Sequence, residues 1–117
     1  MPHTDETKNF FDYEKFKLMK EGSIFINIGR GTTVVEDDLI RALDEGHLRG
    51  AALDVFALEP LSCESKLWGM KNVLMTPHCA DLTADFLDLL FGVFKRNYHS
   101  FDAGEGLLTV VNKDVGY

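Results

Sequence analysis

The chain has 117 residues, 45% of them apolar and 11% aromatic, and a formal net charge of −7. That length holds one core, and the apolar share is that of a globular chain rather than a disordered one. The acidic balance argues against nucleic acid as a partner, and no apolar run approaches the roughly 20 residues needed to span a bilayer, which argues against a membrane.

Asp12 is placed to cap a helix over 13–20, with Phe16 and Met19 on one face and Glu21-Gly22 as its stop. Ser23 to Ile28 is a nearly continuous Ile-rich run, the pattern of a strand covered on both faces, and Gly29-Arg30-Gly31 breaks it. Glu36, Asp37 and Asp38 put negative charge where a helix dipole favours it. Leu39, Ile40 and Leu43 supply the apolar face of that helix, and Gly46 stops it. A second strand follows over 50–55, and strand, helix and strand with short connections predict a parallel βαβ unit with a right-handed crossover. Residues 56–71 read as a long irregular stretch pinned by Leu67 and Trp68, and a connection of that length inside a compact domain points to function. A third strand is expected over 72–75. A helix is then expected from Thr83 to about Phe101, apolar on so many sides that it needs cover from more than one neighbour. Leu107 to Val111 has strand-like composition.

In an open parallel sheet, ligands bind outside the carboxyl ends of the strands. Arg30 follows the first strand, Asp54 closes the second, Glu59 lies on the loop after it, and His78 follows the third. Topology alone therefore gathers four functional side chains at one sheet edge. His78 is a proton carrier near neutral pH or else a surface or capping histidine. Glu59 orients an imidazole and raises its pKa, or is a solvated loop carboxylate. The planar fork of Arg30 matches a carboxylate, with a structural ion pair as the alternative. Asp54 would be costly to bury without partners, so it either holds a loop or accepts from a ligand. His3, His47 and His99 have no convergent partners and read as surface histidines, and Cys79 reads as a small packing residue. Glu36-Asp37-Asp38 is a helix start rather than a metal cluster, and no metal site is expected. Cys63 and Cys79 lack ligand-like spacing and fit two thiols in a reducing cytosol. Met1 to Glu6 has neither the basic nor the apolar region of a secretion signal, so cytoplasmic is the default localisation.

Three strings carry a family resemblance. Met19 to Gly31, ending Asn27-Ile28-Gly29-Arg30-Gly31, resembles the arginine signature of the D-isomer-specific 2-hydroxyacid dehydrogenases. Gly50 to Pro60 resembles their glutamate signature, and Thr76-Pro77-His78-Cys79-Ala80 their histidine signature. The match runs from about Pro2 to His78 and more loosely to the end. The resemblance implies an α/β fold, a partial Rossmann-like parallel sheet (the second half of a dinucleotide-binding domain) with a C-terminal helix. Residues 1–81 would be that half-domain with the catalytic residues, and 82–117 a helix and tail returning toward a substrate domain. It implies that Arg30 grips a substrate carboxylate, that His78 protonates the carbonyl oxygen, and that Glu59 holds His78 protonated. It further implies NAD or NADP as cofactor, bound at its nicotinamide end by Ile28, Arg30, Asp54, His78 and Ala80. The substrate would be a small 2-keto or 2-hydroxy acid. Cys79-Ala80-Asp81 departs from the small-residue pattern the family shows after its histidine.

The family's GxGxxG turn, which seats the pyrophosphate, is absent, so the chain is expected to be the C-terminal portion of a longer enzyme. A second reading is a non-catalytic module that self-associates through the apolar helix, and a homo-oligomer is the expected assembly. A third is a small domain that senses nucleotide or keto acid without turnover. Without the pyrophosphate turn, the 117-residue protein is expected to show no measurable reduction of glyoxylate or hydroxypyruvate. Steady NAD(P)H consumption that disappears in His78→Ala would overturn that expectation.

Overall fold

The computed structural model describes residues 2–116, and the chain divides into two compact units, Met1–Cys79 and Ala80–Tyr117. In the first unit, β1 (Ser23–Asn27), β2 (Leu48–Leu53) and β3 (Val73–Met75) form a parallel sheet in the order β1-β2-β3. Helix α2 (Glu36–Asp44) makes the crossover from β1 to β2, giving the expected βαβ unit, and α1 (Tyr13–Leu18) precedes the sheet.

Local chemistry explains most boundaries. The Asp12 carboxylate accepts the Lys15 amide at 3.0 Å and its ammonium at 2.8 Å, which caps α1. The helix ends at Leu18, two residues before its expected end, because Met19 turns extended while its N–H still reaches the Phe16 carbonyl. Gly22, at φ 76°, then redirects the chain into β1. The acidic first turn of α2 has no side-chain cap, since Val35 occupies that position; Asp38 instead accepts the Tyr13 amide at 3.0 Å, tying α1 to α2. Gly46 at φ 73° ends α2, as its sequence position predicts. Strand β2 begins at Leu48, two residues before the expected start, and leaves Asp54 and Val55 beyond its end.

The sheet buries one face. Phe25, Ala51 and Val73 stand in one row and Asn27, Leu53 and Met75 in another, facing α1 and α2. Phe16, Leu39, Leu48 and Leu67 are fully buried there, and the rings of Phe11, Phe16 and Phe25 pack with centroids 5.1 to 6.1 Å apart. The opposite row, Ile26, Ala52 and Leu74, leaves Ile26 65% and Leu74 66% exposed. The expectation that β1 is covered on both faces is therefore corrected. Alternation along Ser23–Asn27 puts Phe25 and Asn27 in the core, while Ile24 and Ile26 face outward and stay exposed.

The second unit holds α3 (Phe86–Asp102), three residues later at its start than its composition suggests, because Thr83 and Asp85 form a turn in which the threonine hydroxyl bonds the aspartate at 2.7 Å. No residue of α3 is buried, and Phe91, Phe94 and Tyr98 stack along it in the open. Leu107 to Val111 forms no strand; it is exposed, and the Leu108 amide bonds the Asn97 side chain at 2.7 Å. Two further expectations change. Trp68 is 58% exposed, so the loop after β2 is anchored by fully buried Leu67, with Phe56, Leu61 and Met70 also packed on the core. His47 is half-buried and bonds the Met19 carbonyl at 3.1 Å. His3 is exposed, as expected, and pairs with the Thr32 hydroxyl at 2.6 Å.

These burials separate the two units energetically. Phe16→Ala is expected to lower the stability of the first unit by about 3–5 kcal/mol, whereas Phe94→Ala in exposed α3 should move it by no more than about 0.5 kcal/mol. Chemical denaturation followed through a Phe25 or Leu48 amide resonance measures both.

Candidate active site

The carboxyl ends of β1, β2 and β3 each deliver one loop to the same edge of the sheet. After β1, the chain turns at Gly29-Arg30-Gly31, and a buried polar side chain shapes that turn. Asn27 accepts the Gly29 amide at 3.1 Å and donates its own amide to the Arg30 carbonyl at 3.0 Å, while the Thr33 hydroxyl donates to the same carbonyl at 2.7 Å. The Arg30 backbone is thus held from two sides and its guanidinium is left exposed, with Nη1 on the Gly29 carbonyl at 2.9 Å. Gly31 is required by packing. A Cβ there would lie 1.9 Å from the Phe56 carbonyl carbon, so only glycine lets the arginine turn meet the loop that carries Glu59.

After β2 comes Asp54, 3% exposed. Its amide bonds the Asn27 carbonyl at 2.9 Å, and its carboxylate accepts the Thr76 hydroxyl and, at 2.9 Å, the Cys79 amide. Of the two readings its sequence position allows, loop-holding is the one these bonds express. The residues it fixes flank His78, whose φ of 54° lies in the left-handed region that side chains other than glycine rarely adopt.

Glu59 and His78 form the central pair. The imidazole Nδ1 is 2.8 Å from Glu59 Oε2, and Glu59 Oε1 accepts the Phe56 amide at 2.9 Å. The bond to His78, then the bond from Phe56, hold the Glu59 carboxyl below the usual carboxylate range. The hydrogen bond to Glu59 and then its charge push His78 upward; Asp54 adds to the rise, while Arg30 opposes it. An ionised Glu59 only accepts, so Nδ1 carries a hydrogen and Nε2 is the atom left for a ligand. Beside this pair opens a cavity of about 430 Å³ walled by Phe56, Leu61, Trp68 and Met75, with Glu59 and His78 on its lining.

The structure thus brings Glu59, His78 and Asp54 into one electrostatic neighbourhood, with Arg30 at its margin. Ile28 is 66% exposed just beyond β1. Ala80 is exposed and opens the second unit, outside the unit that carries the other five. Asn27 and Thr76 at strand ends and Thr33 in the turn after Arg30 position the loops, and in the sequence they are legible only as polar residues, a signal that does not tell a clamp from a solvated side chain.

Residues 1–80 match the family model for the NAD binding domain of D-isomer specific 2-hydroxyacid dehydrogenases. A glyoxylate reductase from Pyrococcus furiosus is 41% identical over 115 residues, 98% of this chain and 34% of that protein. A D-isomer specific 2-hydroxyacid dehydrogenase from Xanthobacter autotrophicus Py2, solved with NADPH and MES, superposes with a TM-score of 0.90 at 39% identity, covering all of this chain and 48% of that one. An NADPH-dependent glyoxylate/hydroxypyruvate reductase from Sinorhizobium meliloti, solved with NADP and sulfate, gives 0.88 at 41% identity, over all of this chain and 38% of that one. The chain spans between 25% and 38% of the length of the curated relatives it matches. A parallel sheet that sets an arginine, a glutamate and a histidine along its carboxyl edge, and a family model that covers them all, agree: the chain belongs to the D-isomer specific 2-hydroxyacid dehydrogenases.

Proposed function

We propose that this chain carries the acid–base and substrate-anchoring residues for reversible NAD(P)-dependent reduction of a 2-keto acid to a 2-hydroxy acid. The observation that carries the reading is the Glu59–His78 pair at 2.8 Å, set at the carboxyl edge of a parallel sheet whose first strand leads into Arg30. Arg30, with its backbone fixed and its guanidinium exposed, binds the substrate carboxylate. His78 donates a proton from Nε2 to the carbonyl oxygen, and in the reverse direction withdraws it from the hydroxyl. Glu59 keeps the hydrogen on Nδ1 and stabilises the imidazolium, so the acid form persists to higher pH than an ordinary histidine's.

The residues at the sheet edge fit the nicotinamide end of NAD or NADP. Exposed Ile28 offers an apolar wall to the nicotinamide ring, and buried Asp54 fixes the Thr76 to Cys79 loop beside it. Ile28, Arg30, Asp54 and His78 would hold that end; the pyrophosphate would need a glycine turn that this sequence does not contain. When bound, the cofactor supplies the hydride that the carbonyl carbon receives.

We assign residues 1–81 to the half-domain that carries this chemistry and 82–117 to a helix and tail that pack on a further domain. A homo-oligomer is supported by apolar surface in both units, at Ile24, Ile26 and Leu74 on the sheet and Phe91 and Phe94 on α3. Among the described residues no helix is long and apolar enough to cross a membrane, and Cys63 and Cys79 as free thiols support a cytoplasmic location.

The test follows the imidazole resonances of His78 in the 117-residue protein. Glyoxylate should shift them and raise the titration midpoint, because an anion beside the ring favours the imidazolium. Arg30→Gln should weaken that response about tenfold. Resonances unmoved by glyoxylate would overturn the reading.

The pair also predicts a pH dependence. The raised His78 contributes stability below the ordinary histidine value of 6.5, lost as pH rises through its elevated value. The lowered Glu59 contributes stability above 4.5, lost as pH falls through its depressed value. The pair is therefore strongest between those two ordinary values. Glu59→Gln should bring the His78 midpoint back toward the ordinary value. A midpoint that stays raised in that variant would show that Glu59 is not the cause.

A further inference from the structure

The cavity beside His78 has a chemical character that narrows the substrate. Its aromatic and aliphatic walls are Phe56, Leu61, Trp68 and Met75, and every polar side chain on its lining already has a partner. Trp68 Nε1 donates to the Ser62 carbonyl at 2.9 Å, and the Thr76 hydroxyl donates to Asp54. The two Glu59 oxygens take the Phe56 amide and His78 Nδ1. Beyond these bonds a ligand meets His78 Nε2, the spare lone pairs of Glu59 and Thr76, and a wall that is otherwise apolar. A hydroxylated substituent lying against Phe56, Leu61, Trp68 and Met75 would lose water hydrogen bonds that this wall does not replace, whereas an apolar one would exchange water for carbon contacts.

We infer that this cavity receives the apolar substituent of a 2-oxo acid, branched aliphatic or aryl, while His78 meets its carbonyl oxygen and Arg30 its carboxylate. The inference rests on the reading that Arg30 and His78 bind a 2-oxo acid. Arg30 does not line the cavity and His78 does. A molecule that reaches from the guanidinium past the imidazole therefore places its far end against Trp68 and Leu61. The cavity, about 430 Å³, falls in the range of small-molecule sites and is continuous with the acid–base pair. Glyoxylate, with only a hydrogen as substituent, leaves this wall in water. The proposed preference is for a substrate whose fourth and later carbons are hydrocarbon.

Trp68 is the single tryptophan of the chain, so its fluorescence reports the cavity while His78 resonances report the carbonyl site. The full 117-residue protein is titrated with glyoxylate and with 4-methyl-2-oxopentanoate. Both acids should shift His78. Only the branched acid should change Trp68 emission, and it should bind about tenfold more tightly. Trp68→Ala, followed by His78 resonances alone, should bring the ratio of the two affinities toward one. Leu61→Ala gives the same readout if the first variant loses its fold. If glyoxylate shifts His78 but the branched acid binds no tighter and leaves Trp68 unchanged, the cavity assignment fails and the acid–base reading stands. If the branched acid moves Trp68 without moving His78, the cavity is not the substituent site. If neither acid shifts His78, the acid–base reading fails and this inference falls with it.

Discussion

The buried carboxylate of Asp54 is the point on which the geometry of the site depends. A carboxylate at 3% exposure carries a desolvation cost that must be offset by donors, and two of its donors, the Thr76 hydroxyl and the Cys79 amide, lie on the loop that follows the neighbouring strand. Thr76 and Cys79 bracket Pro77 and His78, so the same bonds that satisfy Asp54 also fix the histidine loop against the end of β2. Position in the fold supplies the rest. Asp54 stands one residue beyond β2, and its own amide continues the ladder to the Asn27 carbonyl, so its carboxylate is as rigidly placed as the sheet.

A second clamp works on the arginine side. Asn27 ends β1 inside the core and spends both faces of its amide on the Gly29-Arg30 turn, while Gly31 lets the Phe56 backbone approach closer than any side chain would permit. Phe56 in turn donates its amide to Glu59. The arginine turn, the glutamate loop and the histidine loop are therefore linked through backbone contacts, while the guanidinium and imidazole keep their reactive edges in the open. Rigid backbone under an exposed functional group is the arrangement that orientation-dependent catalysis requires.

The electrostatics of the site are a balance rather than a sum. Glu59 and Asp54 both favour the charged imidazole, and Arg30 opposes it. Direct hydrogen bonding wins, because Glu59 touches Nδ1, whereas the opposing guanidinium acts from a distance on a solvent-exposed ring. A substrate carboxylate held by Arg30 would cancel that opposing charge, tying proton affinity at His78 to anion binding.

Much of this was present in the order of residues. The apolar run before Gly29, the acidic start of α2, and Gly46 after it specify a βαβ unit through local period, capping and dipole effects that act within a few residues. A parallel sheet then obliges the residues after each strand to share one edge, so Arg30, Asp54, Glu59 and His78 could be gathered by topology alone. What the residues could not reveal depends on contacts between segments far apart in the chain. Hydrophobicity marks Ile24, Ile26 and Leu74 as apolar, but which strand face is covered is set by where α1 and α2 pack, and they pack on Phe25. The exposure of Trp68 and of all α3 has the same origin, since burial belongs to the neighbour as much as to the residue. Whether Asp54 holds a loop and whether Glu59 touches His78 were settled by distances of 2.9 and 2.8 Å across 25 and 19 residues of sequence, which only the folded chain brings together.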